Sequence, residues 1–249
     1  MILISLPSIP DLVNTDVGKH YLLMLYVASP PKKLIGGFFM GNLQDFFTST
    51  MGQIVTVAII LILFILILIS GKDKKTDIKV LAVSAILVAL GTALGYVVLF
   101  KMPYGGTVTP FSLLAIVLAG YFFGVKRGVM VGMCVGMLNV LLNPYIIHPL
   151  QLLLDYPIAF GALGLGAIFR NKGKYAIFPT YWTGVIARYL CAVISGIIFF
   201  GSYAPEGFNA VTWSLFYNMT YLGAEALITT VLLCIPVIRN TFDKLKDQC

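Results

Sequence analysis

The chain has 249 residues, of which 59% are hydrophobic and 11% charged, and its mean hydropathy is +0.94, whereas an ordinary soluble domain is about a quarter charged. Such a composition excludes a soluble globular protein and predicts an all-α integral membrane protein with several spans. A net charge of +7 could suit nucleic acid, but the basic residues fall in short clusters between apolar runs, so the charge reads as membrane topology and no nucleic-acid partner is implied.

Residues 1–52 mix apolar pieces with Pro7, Pro10, Pro30, Pro31 and paired lysines, and form an N-terminal extension to which the sequence assigns no structure. The apolar run 53–70 lacks a small-residue cleavage site and lies too far into the chain for a signal peptide. It predicts an extra transmembrane helix, 53–71, ahead of a charged linker from Gly71 to Asp77. Six further apolar runs follow, at 78–100, 110–124, 128–147, 149–169, 181–201 and 212–237. Each approaches the ~20 residues that a helix needs to cross hydrocarbon, although 110–124 is short. Residues 77–240 are therefore expected to fold as one six-helix membrane domain, with 241–249 as a cytoplasmic tail.

Basic clusters occupy alternate connections: Lys72, Lys74, Lys75 and Lys79; Lys126 and Arg127; Arg170, Lys172 and Lys174; and Arg239, Lys244 and Lys246. Between them, the loops around 101–109, 142–148 and 201–211 hold one basic residue, Lys101. The positive-inside rule then puts the basic loops and the C-terminus in the cytoplasm. Two stripes of small residues recur at every fourth position, Ala85, Ala89 and Ala93 in the first core helix and Gly128, Gly132 and Gly136 in the third. Small residues at that spacing let helices approach closely, so one stripe is expected to serve internal packing and the other to dock a partner protein.

Asp155 carries the most information, because a carboxylate within a span is costly unless it faces a cavity or a cationic partner. Gln151 lies one turn earlier on the same face, and Pro157 cannot donate a backbone hydrogen bond, which frees the carbonyl of Leu153. Entering the membrane at Pro149, Asp155 would sit about 10 Å along the helix at 1.5 Å per residue, at the floor of an outward-facing cavity. On the last helix, Ser214, Asn218, Tyr221 and Glu225 share one face, flanked by Trp213 and Tyr217. With Tyr145 and Tyr156 these supply flat rings, each worth roughly 0.5–2 kcal/mol over a desolvated cation. One carboxylate, an amide and several rings suit a planar, positively charged heterocycle. Arg188 and Glu225 are expected to form an internal ion pair, or Arg188 to snorkel to the inner interface, and His148 to be solvated in an outer loop.

Cys134, Cys191, Cys234 and Cys249 are scattered without paired spacing, which indicates neither a disulfide framework nor a zinc site. No glycine-rich phosphate loop, His-Glu-x-x-His motif or serine with a neighbouring base occurs. No catalytic residue, metal or cofactor is therefore assigned, an enzyme is disfavoured, and a binding subunit energised by other proteins fits better.

The runs Leu150-Gln-Leu-Leu-Leu-Asp-Tyr-Pro-Ile-Ala-Phe160 and Ile194-Ser-Gly-Ile-Ile-Phe-Phe-Gly-Ser-Tyr-Ala-Pro-Glu-Gly207, followed by Trp213-Ser-Leu-Phe-Tyr-Asn218, resemble the thiamine-specific substrate-binding subunit (S component) of energy-coupling factor transporters over roughly 100–238. The resemblance implies a six-helix S-component bundle in a bacterial plasma membrane, here with the additional N-terminal helix. It also implies thiamine as ligand, and as partners a transmembrane coupling subunit and two ATPase subunits, beside membrane lipid. By the same resemblance Asp155 meets the aminopyrimidine, Tyr156 and Tyr145 match flanking tyrosines, and Asn218 lies near the ligand; Phe200, Trp213 and Tyr145 are then expected to stack on or enclose the thiazolium, and Gln151 and Tyr221, from the helix faces read above, complete the expected site. Ala85, Ala89 and Ala93 match the surface that docks the coupling subunit, and the loop from Met102 to Thr109 matches a gate over the cavity. The chain departs from the family pattern at Ala192, where a histidine is frequent, at Phe200 for tryptophan, at Trp213 for tyrosine and at Asp155 for glutamate. Alternative functions are uptake of a thiamine precursor such as a hydroxymethylpyrimidine, or an ATP-independent channel or scaffold.

Overall fold

The computed structural model describes residues 77–142 and 145–249, together with Met51 and Val55. Apart from those two positions, the extension 1–52 and the extra helix expected at 53–71 lie outside the described residues. The described chain is a helical bundle: α1 (Ile78–Tyr96), α2 (Ser112–Phe123), α3 (Val125–Leu142), α4 (Pro149–Phe169), α5 (Ile177–Phe199), α6 (Ala210–Cys234) and α7 (Pro236–Gln248). Between α1 and α2 the chain forms a small antiparallel hairpin of β1 (Phe100–Lys101) and β2 (Thr107–Val108), pairing Phe100 with Val108 and Lys101 with Thr107.

Helices α1, α3, α4 and α5 are each long and apolar enough to cross a membrane, and α6 and α7 pass the same test as a pair bent by 87°. The protein is thus a multi-pass membrane protein. Its apolar surface faces outward as well as inward: Ile86 and Leu90 on α1, Leu190 and Ile194 on α5, and Leu227 and Val231 on α6 are all exposed. In a soluble protein these would be aggregation-prone; in lipid they are the solvated face.

Helix α2 is the exception, since its 12 residues span only about 18 Å at 1.5 Å per residue. The reason is its position. Ile116 and Val117 are 0% exposed and Leu113 is 1% exposed, so α2 forms the core around which the longer helices pack, and a helix surrounded by protein need not match the bilayer. Gly124, at φ +95°, ends it with its N–H on the Gly120 carbonyl at 2.7 Å, a conformation that suits a residue without Cβ. Arg170 at the end of α4 donates from Nη2 to the Phe122 carbonyl at 2.6 Å, which places a cation at the negative end of α2.

The glycine stripe of α3 serves internal packing against α4. A Cβ at Gly132 would lie 2.2 Å from the Phe160 carbonyl oxygen, and one at Gly136 would lie 2.5 Å from that of Tyr156. Ala85, Ala89 and Ala93 point the other way and are exposed on α1, while Gly91 on the opposite face meets Val135 and Ile116.

Pro236 lacks the N–H needed to continue α6, and the chain turns there into α7, an amphipathic helix folded across the end of the bundle. Phe242 packs on the core. Tyr121 donates to Asp243 at 2.5 Å, Lys79 Nζ donates to the Gln248 carbonyl at 2.6 Å, and Lys246 Nζ donates to the Arg170 carbonyl. Residues 241–248, read from sequence as part of a tail, are therefore helical and docked.

The α3–α4 approach predicts that Gly132→Ala, which forces a methyl group into backbone, destabilises the detergent-solubilised protein by about 1–3 kcal/mol. Gly95→Ala, whose Cβ would find its nearest neighbour 3.9 Å away, should leave the thermal midpoint unchanged or slightly raised. Differential scanning fluorimetry of the two variants checks the contrast.

Candidate functional site

Helix α4 is not uniform. A first α-helical stretch, Pro149–Leu153, opens into a π-turn over Leu154–Ile158, returns to α-helix over Ala159–Ala162 and tightens to 3-10 geometry over Leu163–Phe169. Pro157 sits inside the π-turn and supplies no N–H, and the Ala159 N–H reaches back to the Leu154 carbonyl. Such bulges are frequent at functional sites because they re-aim side chains; this one carries Asp155 and Tyr156.

Asp155 borders a cavity of about 550 Å³, within the range of small-molecule sites. All eight residues expected to bind ligand, Asp155, Tyr156, Asn218, Tyr145, Trp213, Phe200, Gln151 and Tyr221, line this one cavity. They come from α4, α6 and the segments flanking α4 and α5, although Tyr145 and Trp213 are 68 positions apart in the sequence (213 − 145 = 68).

The carboxylate is held by Gln151. Gln151 Nε2 donates to Asp155 Oδ2 at 2.7 Å and to the Tyr145 carbonyl at 3.1 Å, while Gln151 Oε1 accepts from the Ile147 N–H at 3.2 Å. At 1% exposure, Gln151 orients Asp155 and ties it to the loop before α4. The Tyr145 N–H donates to the Tyr156 hydroxyl at 2.9 Å, a second tie between the same loop and α4. Ser195 adds a buried hydroxyl to the wall of the same cavity, beside the Asp155 carboxylate.

Asn218 lines the cavity, but its amide is occupied by protein. Nδ2 donates to the Ser214 carbonyl at 2.9 Å and to the Ala192 carbonyl at 3.3 Å, and Oδ1 accepts from the Tyr221 hydroxyl at 2.8 Å. Its direct structural effect is to fix the Tyr221 ring and to bridge α6 to α5.

The mouth is a chain of rings. Tyr145 stacks on Phe200 at 6.1 Å with planes 15° apart; Phe200 meets Tyr203 at 6.1 Å; Tyr203 meets Tyr104 at 5.2 Å; Tyr104 meets Tyr217 at 6.4 Å; and Tyr217 meets Trp213 at 5.6 Å and Tyr221 at 5.8 Å. Tyr104 and Tyr203 were not expected from sequence as site residues; Tyr104 arrives on the hairpin between α1 and α2, the segment compared with a gate.

With this geometry in view, similarity to known proteins becomes decisive. The family model for thiamine transporter protein (Thia_YuaJ) matches residues 81–244. The chain belongs to this family. Among its relatives, thiamine transporter ThiT of Bacillus subtilis (strain 168) is 34% identical over 175 residues, covering 65% of this chain and 88% of the relative. Thiamine transporter ThiT of Lacticaseibacillus paracasei is 30% identical over 185 residues, covering 66% of this chain and 88% of the relative. A solved structure of ThiT from Listeria monocytogenes aligns with a TM-score of 0.57 at 22% identity, covering 67% of this chain and 96% of that one, and supports the all-helical membrane fold. Membership of the thiamine transporter family indicates a transport role rather than a catalytic one.

Two expectations about buried polar groups are corrected in this member of the thiamine transporter family. Glu225 does not form an ion pair with Arg188. Its carboxylate accepts from Thr109 Oγ1 at 2.7 Å, Ser112 Oγ at 2.9 Å and the Leu113 N–H at 3.0 Å, so it caps the start of α2, where donors are unsatisfied by the helix itself. Arg188 neither snorkels nor pairs with Glu225; it lines the cavity with its guanidinium 3.6 Å from the centre of the Phe160 ring, and its Nη1 is buried with no hydrogen-bond partner among the described residues. The spacing of these two residues on antiparallel helices suggested a pair, but the hydroxyls of the α2 N-terminus sit closer to the acid. His148, half-buried in the loop before α4, has a structural part besides: its Nδ1 accepts from the Leu150 N–H at 3.2 Å and its ring stacks on Phe199 at 5.2 Å, which makes it the N-cap of α4.

Proposed function

We propose that this chain is the high-affinity substrate-binding subunit of an energy-coupling factor importer, capturing thiamine from outside a bacterial plasma membrane and docking to a coupling subunit and two ATPases. Asp155 carries the proposal: an ionisable side chain in the membrane, oriented by Gln151, beside a ring-lined cavity of about 550 Å³. A carboxylate acceptor suits the amino group of an aminopyrimidine, and electron-rich ring faces suit a thiazolium cation. In the names of its curated relatives thiamine is the transported compound, and the same ligand is proposed here.

In this reading Asp155 accepts from the pyrimidine edge, while Tyr145, Phe200 and Trp213 enclose the cation. Tyr156 and Gln151 hold the loop and the carboxylate in place, and Asn218 and Tyr221 shape the inner wall. The hairpin between α1 and α2 covers the ligand. The ring-lined mouth belongs to the loops poor in basic residues, and the clusters Lys126 and Arg127, Arg170 to Lys174, and Arg239 to Lys246 belong to the other end. By the positive-inside rule the mouth then opens outside and the C-terminus lies in the cytoplasm. The exposed stripe Ala85, Ala89 and Ala93 offers the coupling subunit a flat surface for close approach.

Thiamine titrated into the purified chain should quench tryptophan fluorescence at submicromolar concentration, since Trp213 lines the cavity. Asp155→Asn should weaken binding about 10- to 100-fold, the loss of one charge-assisted hydrogen bond at about 1.5–3 kcal/mol. Absence of binding to the parent chain at micromolar thiamine, or an unchanged affinity in Asp155→Asn, would count against the assignment. The docking role has a separate check. The double variant Ala85→Leu and Ala89→Leu should lose co-purification of the coupling subunit and ATPases from cells while still binding thiamine.

A further inference from the structure

We infer that Tyr217 is the latch of the hairpin between α1 and α2, a positioning residue whose hydroxyl sets how long a ligand stays in the cavity. The inference rests on the proposed ligand-binding role of that cavity, and it concerns the hydroxyl of a residue for which the sequence suggested only a ring flanking the site.

The hydroxyl of Tyr217 makes two hydrogen bonds to the hairpin tip at once. It accepts from the Gly106 N–H at 2.9 Å and donates to the Pro103 carbonyl. The tip itself is tight: the Met102 N–H donates to the Gly106 carbonyl at 2.8 Å, Tyr104 adopts φ +63°, and Gly105 follows at φ +93°. A left-handed tyrosine is uncommon and persists only where its surroundings hold it. Here they are the Tyr203 ring at 5.2 Å and the Tyr217 ring at 6.4 Å. Gly106 is fitted to the latch in a second way, since a Cβ there would lie 2.6 Å from the Tyr217 hydroxyl.

The same helix also holds the root of the hairpin. Two turns further along α6, Glu225 accepts from Thr109, Ser112 and the Leu113 N–H, immediately after β2. The two attachments differ in kind. The root is tied by three hydrogen bonds to a buried carboxylate, whereas the tip is tied by neutral hydroxyls beside the cavity mouth, Tyr217 with its two hydrogen bonds and Thr220, which donates to the Met102 sulfur at 3.2 Å. The tip attachment is therefore the one that yields, and opening pivots on the Glu225 anchor as Tyr217 lets go. A ligand trapped behind the hairpin leaves no faster than this latch opens. Removing the hydroxyl raises the open population with or without ligand, so it speeds escape and does not slow entry, which uses the open form.

Two measurements on the full chain in nanodiscs test the latch with Tyr217→Phe, which keeps the ring and removes only the hydroxyl. First, hydrogen–deuterium exchange without ligand should show amides of Met102 to Gly106 exchanging at least several-fold faster in Tyr217→Phe than in the parent. Second, stopped-flow tryptophan fluorescence should give a thiamine dissociation rate raised about tenfold, the effect of losing roughly 1.4 kcal/mol, with an association rate no lower than the parent's. Gly106→Ala, which crowds the same hydroxyl while leaving it in place, should reproduce both effects. Unchanged exchange at the hairpin tip in Tyr217→Phe overturns the latch whether or not thiamine binds. So does a dissociation rate within twofold of the parent. Faster tip exchange in a chain that does not bind thiamine upholds the latch and instead removes the assignment of the ligand.

Discussion

A carboxylate placed inside hydrocarbon has to be enclosed by protein, and much of this bundle can be understood as the enclosure of Asp155. The costs of leaving it facing lipid are several kcal/mol even on forgiving scales. The chain meets that constraint by opening α4 into a π-turn around Pro157, which turns Asp155 toward the cavity, and by fixing the carboxylate with the buried amide of Gln151. The turn can be accommodated because α3 presents glycines to it: at Gly132 and Gly136 the α4 carbonyls of Phe160 and Tyr156 lie where a Cβ would otherwise be. Close packing and the acidic site are thus parts of one arrangement, in which the small residues of one helix permit the irregularity of the next.

The second organising feature is α6, whose one face serves the cavity wall and the cover above it. Ser214 and Asn218 bond to the α5 carbonyls of Val193 and Ala192, Tyr221 leans on Asn218, Tyr217 holds the hairpin tip and Glu225 holds its root. Positions separated by three and four residues on a helix lie one above another, so a single face can report on the wall and the cover together. The short central α2 links the two regions, because its N-terminus is tied to Glu225 and its C-terminal carbonyl to Arg170. At the opposite end from the cavity mouth, α7 is pinned to α1, α2 and α4 by hydrogen bonds from Lys79, Tyr121 and Lys246.

Much of the helical architecture was legible in the sequence because lipid demands long apolar runs, and the spacing of Ser214, Asn218, Tyr221 and Glu225 already marked one face. The ends were less legible. The run 128–147 extends past the helix end at Leu142, and 181–201 begins after the helix start at Ile177, since apolar residues such as Ile146 and Ile147 also occur in the loops at the mouth. Partner choice among buried polar groups was least legible. Arg188 and Glu225 have complementary charges and suitable positions, yet the free N–H and hydroxyl groups at the start of α2 claim the acid, and Arg188 lies over Phe160 instead. The left-handed Tyr104 carries no sequence signal, because its conformation depends on ring contacts from α6 and from the segment after α5.

The central claim is that the Asp155 carboxylate meets the ligand directly. Infrared difference spectra of the chain, thiamine-bound minus free, report on it with the least intervening inference, using aspartate labelled with carbon-13 at the side-chain carboxyl to separate it from Glu225. A labelled carboxylate stretching band that shifts on adding thiamine and is missing from the difference spectrum of Asp155→Asn at saturating ligand is the result this structure leads to. A spectrum in which thiamine binds and perturbs ring modes while every labelled carboxylate band stays in place would contradict it.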